Sequence, residues 1–411
     1  MKDTVLLTGA TGALGSMLLP RLDHEGYDVV CLVRGKDPSE ARARVNALLR
    51  GRGAVRRDII VVRGDITEPQ CGISDADRRS LVGRVGRVFH SAASINLQSK
   101  DDTQLTNVAG LAHVLELTET LGVPHFVHVS TAYVIGDAPY LSEEDAFLGQ
   151  RWNNHYEETK FVGENMVRAW ARKQSGRSFT IFRPSILVGC EDGSTSTLDG
   201  FYSLAESFHR VAESLRSRNG KSLPADVLIS AQGRVRVPLA VLMGDQRANC
   251  VPIDWAAEMM VAALDLPPRN ETFHFVHHEP LRVRDCLAWS LDHLKVDGVA
   301  ICDTLDEKDR VVRRQTPFVR RLQRRFDVVH DLYVPYLTTE PRFQMEAARR
   351  GLGAKFRSPP TIDQAYILRL LKFAGEKYWG PPEPARRRLF DRRSGVTIAA
   401  PIAARIIQDE H

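Results

Sequence analysis

The sequence predicts an α/β protein, with a doubly wound parallel sheet and a smaller, mostly helical C-terminal lobe. Three observations predict it. The chain opens on a short apolar run, a glycine-rich turn and a helical pattern. Strand-like apolar runs then alternate with helical periods as far as Arg183. Beyond that point the texture becomes Gly/Ser/Thr-rich and then helical and rich in arginine. At 411 residues the chain exceeds one typical core, so two lobes are expected. The boundaries read as 1–190 for the sheet domain, completed by about 247–278, with 191–246 and 279–411 forming a substrate-binding lobe.

Thr4-Val5-Leu6-Leu7-Thr8 reads as the first strand, and Gly9-Ala10-Thr11-Gly12-Ala13-Leu14-Gly15 follows at once. Met17, Leu18, Leu19 and Leu22 carry the next helix. In that context a glycine fingerprint counts as evidence for a Rossmann-type dinucleotide site. Gly9 permits the tight turn, Gly12 lets amides approach a pyrophosphate, and Gly15 lets helix and strand pack closely. Thr11, Ala13 and Leu14 share that turn and belong to the expected cofactor contacts. The phosphates would sit at the positive end of the helix. Three glycines after a strand also suit an ordinary loop, and the next strand argues against that reading. Residues 27–33 form it, and Arg34 follows where such folds usually place an acid for the ribose 2′-hydroxyl. A guanidinium suits a 2′-phosphate instead. Arg42 or Arg44 is placed to add a second charge, although a solvated helix face explains either one equally well. The cofactor reads as NADPH rather than NADH.

Residues 58–63 are a buried-type strand ending in Gly64-Asp65-Ile66. Asp65 is placed either to meet the adenine edge or to cap a turn, and Ile66 lies beside it. Residues 87–90 lead into Ser91-Ala92-Ala93, small residues where backbone must pass close to something. His90 reads as a satisfied strand-end histidine rather than an acid or base. Residues 102–121 have helical period with Asn107 facing inward, 126–130 form the next strand and 178–183 another. The polar stretch 189–200 has the composition of a mobile loop or lid. Helical pattern returns over 201–218, and 249–254 give a short strand with Asp254 as N-cap candidate for 255–264. Residues 272–276 look like a further strand. From Leu281 the chain is mostly helical, with prolines at 317, 335, 341, 359 and 360 breaking it up. The tail from Ala385 is expected to be poorly ordered unless 396–407 docks as a helix.

Tyr156 and Lys160 sit four apart at the start of a helical pattern, on one face. A phenol is a poor proton donor or acceptor at neutral pH, and a nearby ammonium should favour its ionised form. Lysine would also grip the nicotinamide ribose. Tyr-x-x-x-Lys arises by chance in many helices, but here it follows the right number of α/β units. A hydroxyl is wanted at the end of the preceding strand. Thr131 is the choice and Ser130 the reserve; the plain alternative is a hydroxyl bonding backbone. Tyr133 has no lysine four residues on. The backbone of Pro184, Ser185 and Ile186 is placed to reach the nicotinamide carboxamide.

Hydrophobic content of 43% and charged content of 26% are ordinary for a globular protein. Six scattered cysteines have no metal spacing and read as buried thiols in a reducing compartment. No metal site is expected. The chain begins on its fold and has no apolar run that spans a bilayer, so a cytoplasmic enzyme without a transmembrane segment is expected. The net charge is +5. Arg310, Arg313, Arg314, Arg320, Arg321, Arg324 and Arg325 form one run, and Arg386, Arg387, Arg388, Arg392 and Arg393 another. Neither carries a nucleic-acid motif. A solvated face explains them plainly; an acidic carrier protein, or the phosphates of coenzyme A, is the sharper reading.

Taken together, Gly9/Gly12/Gly15, Gly64-Asp65, Ser91-Ala92-Ala93, Asn107, Val129-Ser130-Thr131-Ala132, Tyr156/Lys160 and Arg183-Pro184 resemble the extended short-chain dehydrogenase/reductase superfamily over residues 1–280. Cys31-Leu32-Val33-Arg34 with Arg44, residues 90–96, and Val251-Pro252-Ile253-Asp254-Trp255 resemble its thioester reductase group. That group includes fatty acyl-CoA reductases and the terminal domains of carboxylic acid reductases and peptide synthetases. The resemblance implies catalysis by Thr131, Tyr156 and Lys160, with NADPH reducing an acyl thioester to an aldehyde or on to an alcohol. It implies cofactor contacts from the glycine turn, Arg34, Asp65 and Asn107. The competing expectation is a reductase or dehydrogenase of a free ketone, aldehyde or hydroxysteroid-like alcohol, which needs no carrier. A non-catalytic NADPH sensor is a third, disfavoured because a sensor needs no proton donor.

Overall fold

The computed structural model describes residues 3–50, 58–196, 200–218 and 223–379. The chain divides into two units. The first comprises Met1–Leu187, Cys250–His278 and Pro341–Pro360. Its centre is a seven-stranded parallel sheet. The strands are β1 (Thr4–Thr8), β2 (Asp28–Val33), β3 (Ile60–Arg63), β4 (Val85–His90), β5 (His125–Val129), β6 (Ser178–Pro184) and β7 (Glu271–Phe275). Their order is β7-β6-β5-β4-β1-β2-β3, so the chain reverses direction across the sheet between β1 and β4. Such a switch point opens a crevice at the carboxyl ends of the strands, where dinucleotides bind.

Helices cover both faces: α1 (Gly15–His24), α2 (Pro38–Arg50), α3 (Asp75–Leu81), α4 (Gly110–Thr120) and α5 (His155–Arg172). Strands buried on both faces need continuous apolar runs, and Val5, Leu6, Leu7, Val88, Phe89, Phe126 and Val127 are all buried. Leu111, Val114, Leu117, Val167 and Trp170 pack α4 and α5 into one cluster with Leu6, Val88 and Phe126 of the sheet. The helix expected over 102–121 is interrupted. A single α turn, Lys100–Thr103, passes into a wide π-type turn, Gln104–Ala109, before α4 begins. Such turns concentrate at functional sites, and this one carries Asn107.

The second unit comprises Val188–Asn249, Glu279–Glu340 and the chain from Thr361 onward. It holds α6 (Phe201–Arg216), α8 (Val283–His293), α9 (Leu305–Arg314), α10 (Pro317–Thr338) and α12 (Gln364–Ala374), while α7 (Ile253–Ala263) and α11 (Glu346–Leu352) belong to the first unit. Short strand pairs such as Ala240–Leu242 with Ala300–Cys302 complete it. Gln323 is buried because its amide serves a strand edge, accepting from Ala240 N at 2.7 Å and donating to Ala240 O at 2.9 Å.

Three sequence expectations are corrected here. The sequence places the whole of 279–411 in the second lobe, yet 341–360 joins the first: Arg342–Phe343 pairs with Tyr140–Leu141, a two-residue strand too short to read. Asp254 is not an N-cap; Pro252 is, and Asp254 sits in the first turn of α7. Pro317 starts α10 rather than breaking it, with Thr316 as the cap. Within 189–196, Cys190 N donates to Ser194 O at 2.7 Å, closing a bonded turn. The second arginine run and 396–407 lie outside the described residues.

Candidate active site

The glycine turn is held by contacts that no side chain would permit. Gly9 has φ +73°, and a Cβ there would stand 2.6 Å from Ala92 N. The backbone that Ser91 and Ala92 must pass is therefore Gly9 itself. Thr8 fastens the same junction: its carbonyl accepts from Ser91 N and its hydroxyl from Ala92 N, both at 3.3 Å, and the hydroxyl also bonds His90 Nδ1 at 2.8 Å. A Cβ on Gly15 would lie 2.0 Å from Gly9 O, so α1 starts against the turn. The turn Thr11, Gly12, Ala13 and Leu14 runs straight into α1: Gly12 O accepts from Ser16 N at 2.9 Å, and Leu14 O accepts from Met17 N at 2.9 Å. Ala93 is exposed at the crevice edge.

At the end of β2, Arg34 is exposed and has no carboxylate partner among the described residues. Arg44, from α2, donates to Arg34 O at 2.9 Å and to Thr11 Oγ1 at 3.4 Å. Burial and the Arg34 charge both push its pKa down. Two guanidiniums thus gather beside the glycine turn, a fit for an anionic group on a bound dinucleotide. Arg42 points elsewhere, donating to Ile59 O at 2.6 Å.

Asp65 caps a turn. Its Oδ1 accepts from Thr67 N at 3.0 Å and Thr67 Oγ1 at 2.9 Å. Ile66 is buried, and its carbonyl bonds His113. Asn107, 3% exposed, is engaged by protein: Nδ2 donates to Ser94 O and Thr159 Oγ1, and Oδ1 accepts from Ser94 N. It ties the loop after β4 to α5 rather than presenting free hydrogens to the crevice.

Thr131, Tyr156 and Lys160 meet at the end of β5. Asn154 caps α5 by accepting from Glu157 N at 3.0 Å, which starts the helix one turn before Lys160. Lys160, 3% exposed, donates from Nζ to Val129 O at 2.5 Å. The Tyr156 phenol faces the Thr131 hydroxyl. Thr131 Oγ1 also accepts from Tyr133 N at 3.2 Å and lies 3.5 Å from Pro184 O. Burial pushes the Tyr156 phenol up to about 12, with the Thr131 hydroxyl opposing the shift. This reverses the expected lowering by the ammonium: Lys160 is turned onto a carbonyl, and desolvation prevails. Lys160 itself falls to about 8 through burial, with Glu164 working against the fall. At neutral pH the site therefore holds a neutral phenol and a cationic lysine.

Ser185 N donates to Phe275 O at 3.0 Å, and its buried hydroxyl has no partner. It is an orphaned polar atom beside Pro184 and Ile186, suited to an amide ligand. His90 stacks on His128 at 5.6 Å and burial drives it to about 3, so it stays neutral. Sequence reasoning missed Glu164, which is buried and paired with Arg183. The available signals were its place one turn beyond Lys160 and an arginine inside an apolar strand, which demands a partner.

Fold and site together define a dinucleotide-binding α/β protein with a hydroxyl, phenol and ammonium beside its crevice. The family model described as "Male sterility protein", an NAD-binding family, matches residues 7–260, and the chain belongs to that family. It is 27% identical over 408 residues to a carboxylic acid reductase of Segniliparus rugosus, covering 89% of this chain and 32% of that protein. The chain spans about a third or less of the length of the curated relatives it matches. Among solved structures it resembles the terminal R domain of the myxalamid PKS-NRPS pathway, with TM-score 0.70 and 21% identity over 93% of this chain and 92% of that one. It also resembles a thiolation-reductase di-domain from an archaeal non-ribosomal peptide synthetase, with TM-score 0.68 and 19% identity over 92% and 76%. Among the described residues, no helix is long and apolar enough to cross a membrane.

Proposed function

We propose that the protein is an NADPH-dependent reductase of acyl thioesters. The observation that carries this reading is the meeting of Thr131, Tyr156 and Lys160 at the end of β5, with Lys160 Nζ on the Val129 carbonyl. The carboxylic acid reductase relative and the thiolation-reductase neighbour support the thioester as substrate. The Arg34 and Arg44 pair supports NADPH over NADH.

When bound, the reduced nicotinamide supplies a hydride to the carbonyl carbon. Thr131 and Tyr156 hold the carbonyl oxygen, and Tyr156 donates its proton as charge develops there. Lys160 keeps a positive charge beside the emptied phenol. The resulting hemithioacetal expels the thiol and leaves an aldehyde. A second hydride would give the alcohol, and the ratio of NADPH consumed to thiol released counts the steps. Cys190 is buried and the six cysteines are structural thiols in this scheme, so no covalent intermediate is invoked.

The carrier is proposed to be acidic. On α9 and the first turns of α10, Arg313, Arg314, Arg321 and Arg324 are exposed and without carboxylate partners among the described residues. That face complements a carrier domain or the phosphates of coenzyme A. Purified protein given NADPH with acyl-CoA, carrier thioesters, or free aldehydes and ketones tests the reading. Thiol release with NADPH loss supports it; turnover of free carbonyls alone transfers the case to a simple carbonyl reductase.

A further inference from the structure

We propose that Glu164 is the positioning residue of this site, a buried carboxylate that fixes α5 to the ends of β5 and β6 and gives the Lys160 ammonium its counter-charge. The inference rests on the reductase reading above. Glu164 stands one turn beyond Lys160, as Lys160 stands one turn beyond Tyr156, so the three share a face. Its Oε1 accepts from Arg183 Nε at 2.8 Å. Its Oε2 accepts from Arg183 Nη2 at 2.7 Å and Arg168 Nη2 at 3.1 Å. The Ser130 hydroxyl also faces this carboxylate.

Those partners bring together the segments that carry Thr131, Tyr156 and Pro184. Ser130 precedes Thr131, and Arg183 precedes Pro184, whose carbonyl lies against Thr131 Oγ1. Arg183, fully buried, is itself fixed from several sides. It donates to Ser142 O at 3.3 Å, Asp145 O at 2.8 Å and His274 Nε2 at 3.3 Å. His274 can accept there because its Nδ1 donates to Gln344 O at 2.6 Å. A buried ion pair is weak evidence for stability. What this one supplies is geometry, since a bidentate fork sets both distance and angle.

Charge gives the second half of the argument. The titratable groups gathered around Lys160 are Tyr156, Glu164 and Arg168 of α5, His90 of β4, His128 of β5 and Arg183 of β6. Burial keeps both histidines and the phenol neutral. Arg168 and Arg183 are positive, which leaves Glu164 as the negative charge of the group.

The test uses the full chain with Glu164→Gln and Glu164→Asp. The Lys160 titration is followed by NMR of 13Cε-lysine in the absence of substrate, the signal being assigned by its loss in Lys160→Arg. Profiles of kcat and KM against pH are measured with NADPH and an acyl thioester. Glu164→Gln should lower the Lys160 midpoint by about one unit and move the alkaline limb of kcat by the same interval. It should reduce kcat by roughly 10- to 100-fold, with KM for NADPH little changed. Glu164→Asp keeps the charge but shortens the fork, so the midpoint should hold while kcat falls. An unmoved midpoint in folded Glu164→Gln overturns the proposal. If that variant does not fold, full kcat in Glu164→Asp overturns it. A wild-type protein that reduces no thioester defeats the reductase reading, while the NMR titration still decides the role of Glu164.

Discussion

Tyr156 is the residue whose loss should separate chemistry from binding. Tyr156→Phe removes the proton donor and leaves the glycine turn untouched, so kcat should fall by about 10²–10⁴-fold while NADPH affinity, read by fluorescence titration, stays near wild type. The pH profile belongs to Lys160 instead. Its pKa is near 8, so it is protonated below that value, and kcat for reduction should fall as pH rises through it. Tyr156, raised to about 12, stays protonated across this range. Arg34→Asp should weaken NADPH roughly 10- to 100-fold relative to NADH, the loss of one or two charge-assisted bonds; an unchanged ratio removes its assigned role. Spacing made Thr131, Tyr156 and Lys160 legible because i and i+4 face the same way and a strand end lies opposite. The direction of the Tyr156 shift was not legible, because it depends on Lys160 turning onto Val129 O. Nor was the partner of Glu164, since Arg183 arrives nineteen residues later from another strand.

At the scale of elements, the turn between β1 and α1 organises the crevice. Gly9→Ala forces a side chain into a positive-φ position and against Ala92 N. It should destabilise the protein by about 1–3 kcal/mol and abolish NADPH binding, measured by thermal denaturation with and without cofactor. Gly375→Ala is the control, since its new methyl meets nothing within 4 Å. The succession of strands along the chain was legible because each apolar run is bounded by turn signals and separated by a helical period. Two features escaped. The π-type turn that carries Asn107 differs from an α-helix by a single widened turn, which no hydrophobic period reports. The return of 341–360 to the first unit rests on a two-residue strand and on Glu143 accepting from His274 N and Ala348 N. These are long-range bonds with no local signature.

For the whole molecule, the carrier docking proposed above would work through the summed field of the arginines of α9 and α10 rather than through single contacts. Reversing Arg313, Arg314, Arg321 and Arg324 to glutamate should raise KM for a carrier-bound thioester about tenfold or more at low salt. KM for the same acyl group on a short pantetheine thiol should be unchanged. Equal effects on both substrates would place the arginines outside recognition. Net charge made the run visible in the sequence, whereas its exposure on two successive helices required the fold. The most direct test of the central claim follows NADPH oxidation and free thiol together in one reaction with an acyl thioester. Thiol should appear in step with the first NADPH consumed, and both signals should vanish in Tyr156→Phe. NADPH oxidised with free aldehydes or ketones but never with thioesters, or thiol release that survives Tyr156→Phe, would contradict it.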